Sequence, residues 1–531
     1  MMWRQWVGRR WGRPGILAIA AVATCGLPAG ARQDPAALAN PDGPEVLARG
    51  PIHEAFASPY ALNPAPGLIV PKPPPQTAIE EQPPAQKPEG ADVEWIPGYW
   101  AWADDRNDYI WISGVWRDIP PGRQWVPGYW SQAQDGFRWT PGFWGAVAAN
   151  GQFDYLPAPP PSQENGPNSP QPGDNYAWSP GSWVWQADRY VWQPGYWFAT
   201  QNDWIWTPSS YVATPSGYLH NDGYWDYSLD RRGVPFAPVA FGPSFASRPN
   251  YAYTPSYVLP VGGLLSSLFI RPNSGNYYFG DYYGASGVDA RSNYVPWFGY
   301  QQNHLGYDPL YASMSAQHVR EPEWDRRLRQ DYQTRVDRPD VRPAATFEGQ
   351  RGRGIALAQP FGQWAANPEA SRRFVPVGED HRAELGRRQA AVQEFSQARL
   401  RQESQAKIAP EARPEEARPR RLDLPRSPVM AASEPRFQSR GLTPPPSHPE
   451  QHQAFRPNFE GQPQHREPNP PAGRPELRPM PAAPRPNEVR PGAGPVEPHK
   501  EPRPGPEARP AHPAPAPPRE GAEHPRPGRP R

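Results

Sequence analysis

Sulfur is almost missing from this sequence. Cys25 is the only cysteine among 531 residues. A lone thiol excludes an internal disulfide, a thiolate metal cluster and CxxC redox chemistry. No stretch of 18 apolar residues follows the first 31 positions, so no transmembrane helix is expected. Charge of one sign is lacking too. Lys and Arg total 55 against 53 Asp and Glu, a formal charge of +2, which implies no global electrostatic partner and no nucleic acid. No Walker A, HExxH, GxSxG or dinucleotide fingerprint occurs. Of the 11 histidines, His53, His220, His304, His318 and His381 are isolated, and the other six lie beyond residue 440. None has metal-ligand spacing. Asp104, Asp105, Asp108, Asp135 and Asp203 fall in predicted turns, and turn chemistry accounts for them without a catalytic pair. No catalytic residue, cofactor or metal is therefore expected, and the chain reads as a non-enzyme.

What is plentiful divides the chain. It has 81 Pro and 47 Gly, a level that marks low-complexity sequence. It also has 23 Trp and 12% aromatic residues, which disordered chains lack. The two signals must come from different regions. Residues 1–31 carry Arg4, Arg9, Arg10 and Arg13, then an apolar stretch from Ile16 to Leu27, then Ala29-Gly30-Ala31. That order is a secretory signal with cleavage before Arg32, and it places the chain in the periplasm, outer envelope or extracellular space. Val22-Ala23-Thr24-Cys25 loosely resembles a lipobox, with Thr24 a poor fit, so a lipid anchor on Cys25 is the lesser alternative. Residues 32–90 read as a Pro-rich linker, with Pro71-Lys72-Pro73-Pro74-Pro75 as an extended spacer.

Sixteen of the Trp residues fall between Trp95 and Trp206, inside a region assigned to 91–211. They follow the motif W-x-x-G-x-W. Its copies are Trp95–Gly98–Trp100, Trp111–Gly114–Trp116, Trp125–Gly128–Trp130 and Trp139–Gly142–Trp144. After a Pro-rich insert at about 157–175 come Trp178–Gly181–Trp183 and Trp192–Gly195–Trp197. A worn seventh copy is Trp206-Thr-Pro-Ser209-Ser-Tyr211. First Trps are separated by 16, 14, 14, 39, 14 and 14 residues, a strong repeat signal. The period is too short for helix pairs and contains Pro. Trp, Tyr, Val and Ile favour strands, and Asp104–Asp108, Gln134-Asp135-Gly136 and Gln201-Asn202-Asp203 favour turns. Each copy is predicted as one strand, paired antiparallel with the next in a meander. Ile110–Val115, without Pro, reads as an unbroken strand. A Gly inside a strand needs cover, and a cross-strand Trp supplies it. Pro before it suggests a bulge or kink. A type II turn at each Pro-Gly is the competing reading, and it suits two-residue hairpins poorly. Two Trps five apart face opposite sides of a regular strand, or one side if a bulge intervenes. The spacing leaves both open.

The repeat resembles the bacterial WXXGXW (YXWGXW) repeat family over roughly residues 94–211. The stretch around Gly223-Tyr224-Trp225-Asp226-Tyr227 and Arg232–Val239 is similar to segments that follow such repeats in bacterial envelope proteins. The resemblance implies export and a repeat architecture, and brings no catalytic residues. Copy seven departs from it at Ser209 and Tyr211 and reads as a cap.

Residues 212–311 read as a Tyr/Gly/Pro-rich β extension, with strands around Tyr251–Pro260 and Leu264–Ile270 and an aromatic run at Tyr277–Tyr283 taken as packing. Residues 312–408 read as a helical and linker region. Trp324, Leu328, Tyr332 and Val336 share one helix face. A second helix over 380–408 has a thin stripe of Leu385, Val392 and Phe395 with Gly386 against it, suited to docking or to a weak coiled coil. From 409 to 531 a Pro/Arg-rich tail with 20 basic and 15 acidic residues is expected to be disordered.

The expected class is mostly β: a meander of short Trp-rich strands, one or two helices, and a long disordered tail. The leading expectation is a structural or interaction protein of the cell envelope, partnered by envelope proteins or polysaccharide. The alternative is a carbohydrate- or peptidoglycan-binding module that stacks sugars on exposed Trp and Tyr. The eighteen Trp and Gly positions of the six full copies are its candidate residues, structural first and stacking second.

Overall fold

The computed structural model describes most of residues 43–431, together with 451–452. Outside the described residues lie 1–42, 432–450, 453–531 and short internal stretches, of which 243–251, 285–293 and 406–418 are the longest. The leader, Cys25, His304 and most of the expected tail fall there.

The described chain is dominated by short antiparallel strands with a few helices. The repeat folds as hairpins, each made from two motif copies. In the first, Val93–Ile96 and Tyr99–Ala103 return as Asp108–Ile112 and Val115–Asp118. Trp95 faces Trp116 and Trp100 faces Trp111. The second hairpin sets Trp125 opposite Trp144 and Trp130 opposite Trp139. The third sets Trp178 opposite Trp197 and Trp183 opposite Trp192. The first Trp of one copy therefore always meets the second Trp of its partner. Ring centroids of these pairs lie 5.0–5.4 Å apart and are tilted or edge-on, the arrangement aromatic quadrupoles prefer.

A fourth hairpin corrects the copy count. Trp206 faces Trp225 and Tyr211 faces His220. The segment His220-Asn221-Asp222-Gly223-Tyr224-Trp225 is thus an eighth copy with His in the first Trp position, 14 residues after Trp206. Copy seven is not a cap but half of this pair.

Three further expectations change. The copies pair in twos and do not form a continuous meander. The strand Val115–Asp118 pairs outward with Gly233–Pro235, and Asp108–Ile112 with Val239–Ala240, rather than with the third copy. Each copy is two short strands, not one, because the ladder stops at its Pro-Gly. Even Ile110–Val115 is broken, at Ser113-Gly114. No bulge intervenes: pairing of 95 with 116 and of 100 with 111 keeps one register across the break. The break is a local opening of both strands at the same level.

Flanking sequence completes the core. Residues read as linker are packed from position 43 onward, with Ala48, Ile52, Ala55 and Phe56 fully buried. The β extension supplies Tyr277–Phe279, Leu268–Ile270 and Val295–Pro296 to a sheet that Gly50–Pro51 of the linker joins. Val261–Leu265 is helical, so only the second half of the run expected as a strand at 264–270 is one. Tyr277–Phe279 is buried throughout, as packing requires. The helix Glu323–Asp337 turns Trp324, Leu328, Tyr332 and Val336 inward, all half-buried. The helix Glu379–Gln405 docks with Leu385, Val392 and Phe395 buried. Arg420–Asp423 pairs with the strand Gln152–Leu156, and Leu424 and Val429 are buried, so that part of the expected tail is folded.

The glycines yield the first prediction. A Cβ on Gly142 would lie 2.6 Å from Trp125 Cζ2 and 2.9 Å from the Val126 carbonyl, whereas one on Gly386 would meet nothing within 4 Å. Gly142→Ala is expected to cost about 3 kcal/mol or more through overpacking. Gly386→Ala, in a helix interior, is expected to stabilise by about 0.5–1 kcal/mol. Urea unfolding of the two variants checks both signs.

Candidate functional site: carboxylate clamps and an aromatic cleft

An opened ladder leaves backbone N–H and C=O groups that must find other partners. They find them in side chains that lie outside the opened hairpin itself. In the first hairpin Glu81 accepts from Trp111 Nε1 at 3.0 Å and from the N–H of Gly114 at 2.9 Å and Gly98 at 2.6 Å. In the second, Glu54 accepts from Trp139 Nε1 at 2.6 Å and Gly142 N–H at 2.8 Å. In the third, Glu164 accepts from Trp178 Nε1 at 3.0 Å and Gly181 N–H at 2.5 Å. In every case one W-x-x-G supplies both donors. The spacing is what lets an indole N–H and a backbone N–H three residues on grip one carboxylate.

The carbonyls are met in the same way. His53 Nε2 bonds the Pro97 carbonyl at 3.1 Å, and Arg399 Nη1 donates to the Pro127 and Pro141 carbonyls, both at 3.0 Å. Ser396 donates to Gly128 and Arg123 to Gly223. Arg399 is buried beside Glu403, which also accepts from Tyr129 and Tyr155. Arg117 of the first hairpin binds both oxygens of Asp226 in the fourth at 2.6 Å, with Arg232 on the same carboxylate.

The glycines of the motif each lie beneath an indole. Trp111 covers Gly98, Trp95 covers Gly114, Trp139 covers Gly128, Trp125 covers Gly142, Trp192 covers Gly181 and Trp178 covers Gly195. The Trps divide by ladder position. The outer pairs, Trp95 with Trp116, Trp125 with Trp144 and Trp178 with Trp197, are buried. Of the inner pairs Trp111 is buried, while Trp100, Trp130, Trp139, Trp183 and Trp192 are half-buried.

Two of these half-buried rings wall a cleft of about 320 Å³ between the first two hairpins. Trp130, Trp139, Trp102, Tyr99 and Tyr278 line it, with Leu68 and Ile69 exposed at its rim. Trp139 is stacked on Tyr99, centroids 5.0 Å apart and planes within 10°. Polar groups enter the same space: Asn276, Ser274, Asn107, Asp104 and Arg271. Arg271 and Asp104 neutralise one another at 2.7 Å. Asn276 Nδ2 donates to the Ile52 carbonyl and to Tyr99, and its Oδ1 has no protein donor among the described residues. The cleft is thus aromatic, near neutral in charge, and supplied with hydrogen-bonding groups.

Sequence reasoning identified the Trp and Gly positions but not the glutamates that hold them. Glu54, Glu81 and Glu164 carry no motif of their own, and Glu54 lies 85 residues from Trp139. Trp144, one of the candidate stacking positions, is buried. The turn carboxylates behave as turns: Asp104 accepts from Trp102 Nε1, and Asp203 has φ of +65°. Among the described residues no cluster of three His, Cys, Asp or Glu is placed to hold a metal, and no helix is long and apolar enough to cross a membrane.

A family model described as the WXXGXW repeat matches the chain twice, over residues 94–117 and 173–197. Each match spans two motifs and one hairpin, so the matched unit is the pair. No curated protein and no solved structure matches.

Burial sets a pH dependence. Desolvation pushes the carboxyls of Glu54, Glu81 and Asp308 up to about 7, against the opposing pull of the N–H groups that each accepts, and of Arg399 on Glu54. The folded chain then holds protons that the unfolded chain releases near pH 4–4.5, so these groups favour folding most below that range and lose their contribution as pH rises through 7. Burial lowers His53 to about 4, which acts oppositely below pH 6.5, but as one group against three. The urea midpoint is expected to fall between pH 5 and pH 8. The slope should shrink in Glu81→Gln, which keeps an uncharged acceptor in place.

Proposed function

We propose that this chain is an exported, non-catalytic binding protein of the bacterial envelope that takes a saccharide in the cleft between its first two repeat hairpins. The observation that carries the reading is the meeting of half-buried rings and uncommitted polar atoms in one concavity. A pyranose has an apolar C–H face and a rim of hydroxyls. Trp130 and Trp139 offer it a π surface, and Asn276 Oδ1 and the Asn107 side chain offer partners for hydroxyls. A pocket of aromatic and apolar lining with few placed polar groups is the usual form of a small-molecule site. The balanced Arg271–Asp104 pair favours a neutral sugar over a charged one. Export rests on the basic and apolar leader followed by Ala29-Gly30-Ala31.

The buried outer Trp pairs favour scaffolding as a second role, since most indoles serve to hold the hairpins rather than to meet a ligand. The outer rings serve the scaffold alone, whereas Trp139 of an inner pair both grips Glu54 and walls the cleft.

Calorimetric titration of the full chain with peptidoglycan fragments and neutral envelope oligosaccharides tests the proposal. Trp130→Ala is expected to weaken binding at least tenfold while the urea midpoint shows a folded chain. Asn276→Ala, which keeps the aromatic wall, is expected to weaken it less. No saccharide binding by the folded wild-type chain at millimolar ligand would leave the scaffold role alone.

A further inference from the structure

The Pro-rich insert between the second and third hairpins is bound to the third hairpin as a peptide ligand would be. Residues 157–175 contain seven prolines and no helix or strand. Four aromatic donors of one hairpin reach this stretch. Tyr190 donates to the Pro157 carbonyl at 2.6 Å, Trp183 Nε1 to Pro161 at 3.1 Å, Trp178 Nε1 to the Glu164 carboxylate at 3.0 Å, and Trp197 Nε1 to Ser169 at 3.1 Å. The insert itself stays on the surface. Ala158, Pro160, Pro161, Gln163 and Asn165 are exposed, and Glu164 is half-buried.

The chemistry of this contact is that of proline-rich peptide recognition. Aromatic side chains supply both an apolar surface and N–H or O–H donors to the carbonyls of an extended chain. Proline holds that chain extended before it binds, which lowers the ordering cost. Glu164 adds a specific anchor, because its two oxygens take the indole N–H and the Gly181 N–H together. The other hairpins use the same pattern. Tyr109 donates to the Lys72 carbonyl, within Pro71-Lys72-Pro73, in the stretch that leads to Glu81. Trp144 donates to Ala55, next to Glu54. Those two glutamates are buried, whereas Glu164 is not. Among the described residues the inner strands of the third hairpin, Ser182–Gln186 and Arg189–Gln193, also carry no third strand. This is the hairpin at which an extended segment can exchange.

The geometry points to a peptide-binding site on the third WXXGXW hairpin, specific for an extended, proline-rich, glutamate-bearing segment of another polypeptide and occupied in cis by residues 157–169. It stands apart from the saccharide cleft and shares no residue with it. An incoming segment displaces the insert and delivers its own glutamate to Trp178 and Gly181, while its carbonyls accept from Tyr190, Trp183 and Trp197. Cis occupancy lowers the apparent affinity of any competitor by the fraction of time the site is open.

A fluorescent synthetic peptide of residues 157–170 serves as the probe, titrated into three full-length chains. These are the wild type, Glu164→Gln, and a chain with 157–170 replaced by a Gly-Ser linker of equal length. The linker chain is expected to bind the peptide most tightly. Glu164→Gln is expected to bind it about tenfold more tightly than the wild type, the scale of one lost charge-assisted contact. A peptide with Gln in place of its Glu is expected to bind the linker chain about tenfold more weakly. A folded linker chain that ignores the peptide, or that binds both peptides equally, overturns the proposal. If the linker chain does not fold, Glu164→Gln decides: peptide affinity no higher than for the wild type overturns it.

Discussion

The structure depends on what happens where a β-ladder is deliberately opened. At each Pro-Gly the two strands of a hairpin stop pairing, and their amides and carbonyls turn to side chains supplied by other parts of the chain. Buried backbone groups without partners cost on the order of 1–3 kcal/mol each, so an opened level is tolerable only if it is fully served. Here a carboxylate takes the N–H groups, and His53, Ser396 or Arg399 takes the carbonyls. The indole closes the other side by lying on the bare glycine. In the first two hairpins motif, glutamate and basic or hydroxylic partner form one unit, and removal of any member exposes the others.

This unit explains why the hairpins keep register. A one-residue slip in a strand moves every side chain to the wrong face. In these hairpins it would also lift each indole off its glycine and separate the W-x-x-G donors from their carboxylate. Cross-strand aromatic pairs add about 0.5–1.5 kcal/mol each beyond their buried area. Two such pairs bracket every opening, so the broken ladder is pinned above and below the break.

The repeat was legible because Trp and Gly recur at a fixed period, and strand character followed from their neighbours. Cover of glycine by a cross-strand Trp was legible too, since nothing else stabilises a bare strand backbone. Pairing in twos was not, because all copies look alike and the gaps after copies two and six are as polar as true turns. The eighth copy escaped notice since His220 replaces the residue by which copies are counted. Glu54 and Glu81 were hidden in a stretch whose proline content reads as a spacer. Proline sets the backbone extended, but an extended strand with a well-placed glutamate is also what an opened hairpin needs. Composition cannot separate the two. The helix Glu379–Gln405 was legible from Leu385, Val392 and Phe395, whereas the role of Arg399 depends on carbonyls far away in sequence.

The hydrogen bond from Tyr129 to Glu403 joins residues 274 positions apart, and Arg117 reaches Asp226 across 109. Contacts of such long sequence separation form late and make folding slow. A chain emerging from its N-terminus therefore displays an opened second hairpin, with the carbonyls of Pro127, Gly128 and Pro141 unserved, until the segment near position 400 arrives. Such a nascent chain is hazardous where strand edges and apolar rings can meet neighbours. It is the kind of polypeptide that gains from being kept extended, and from folding only once its whole length is free.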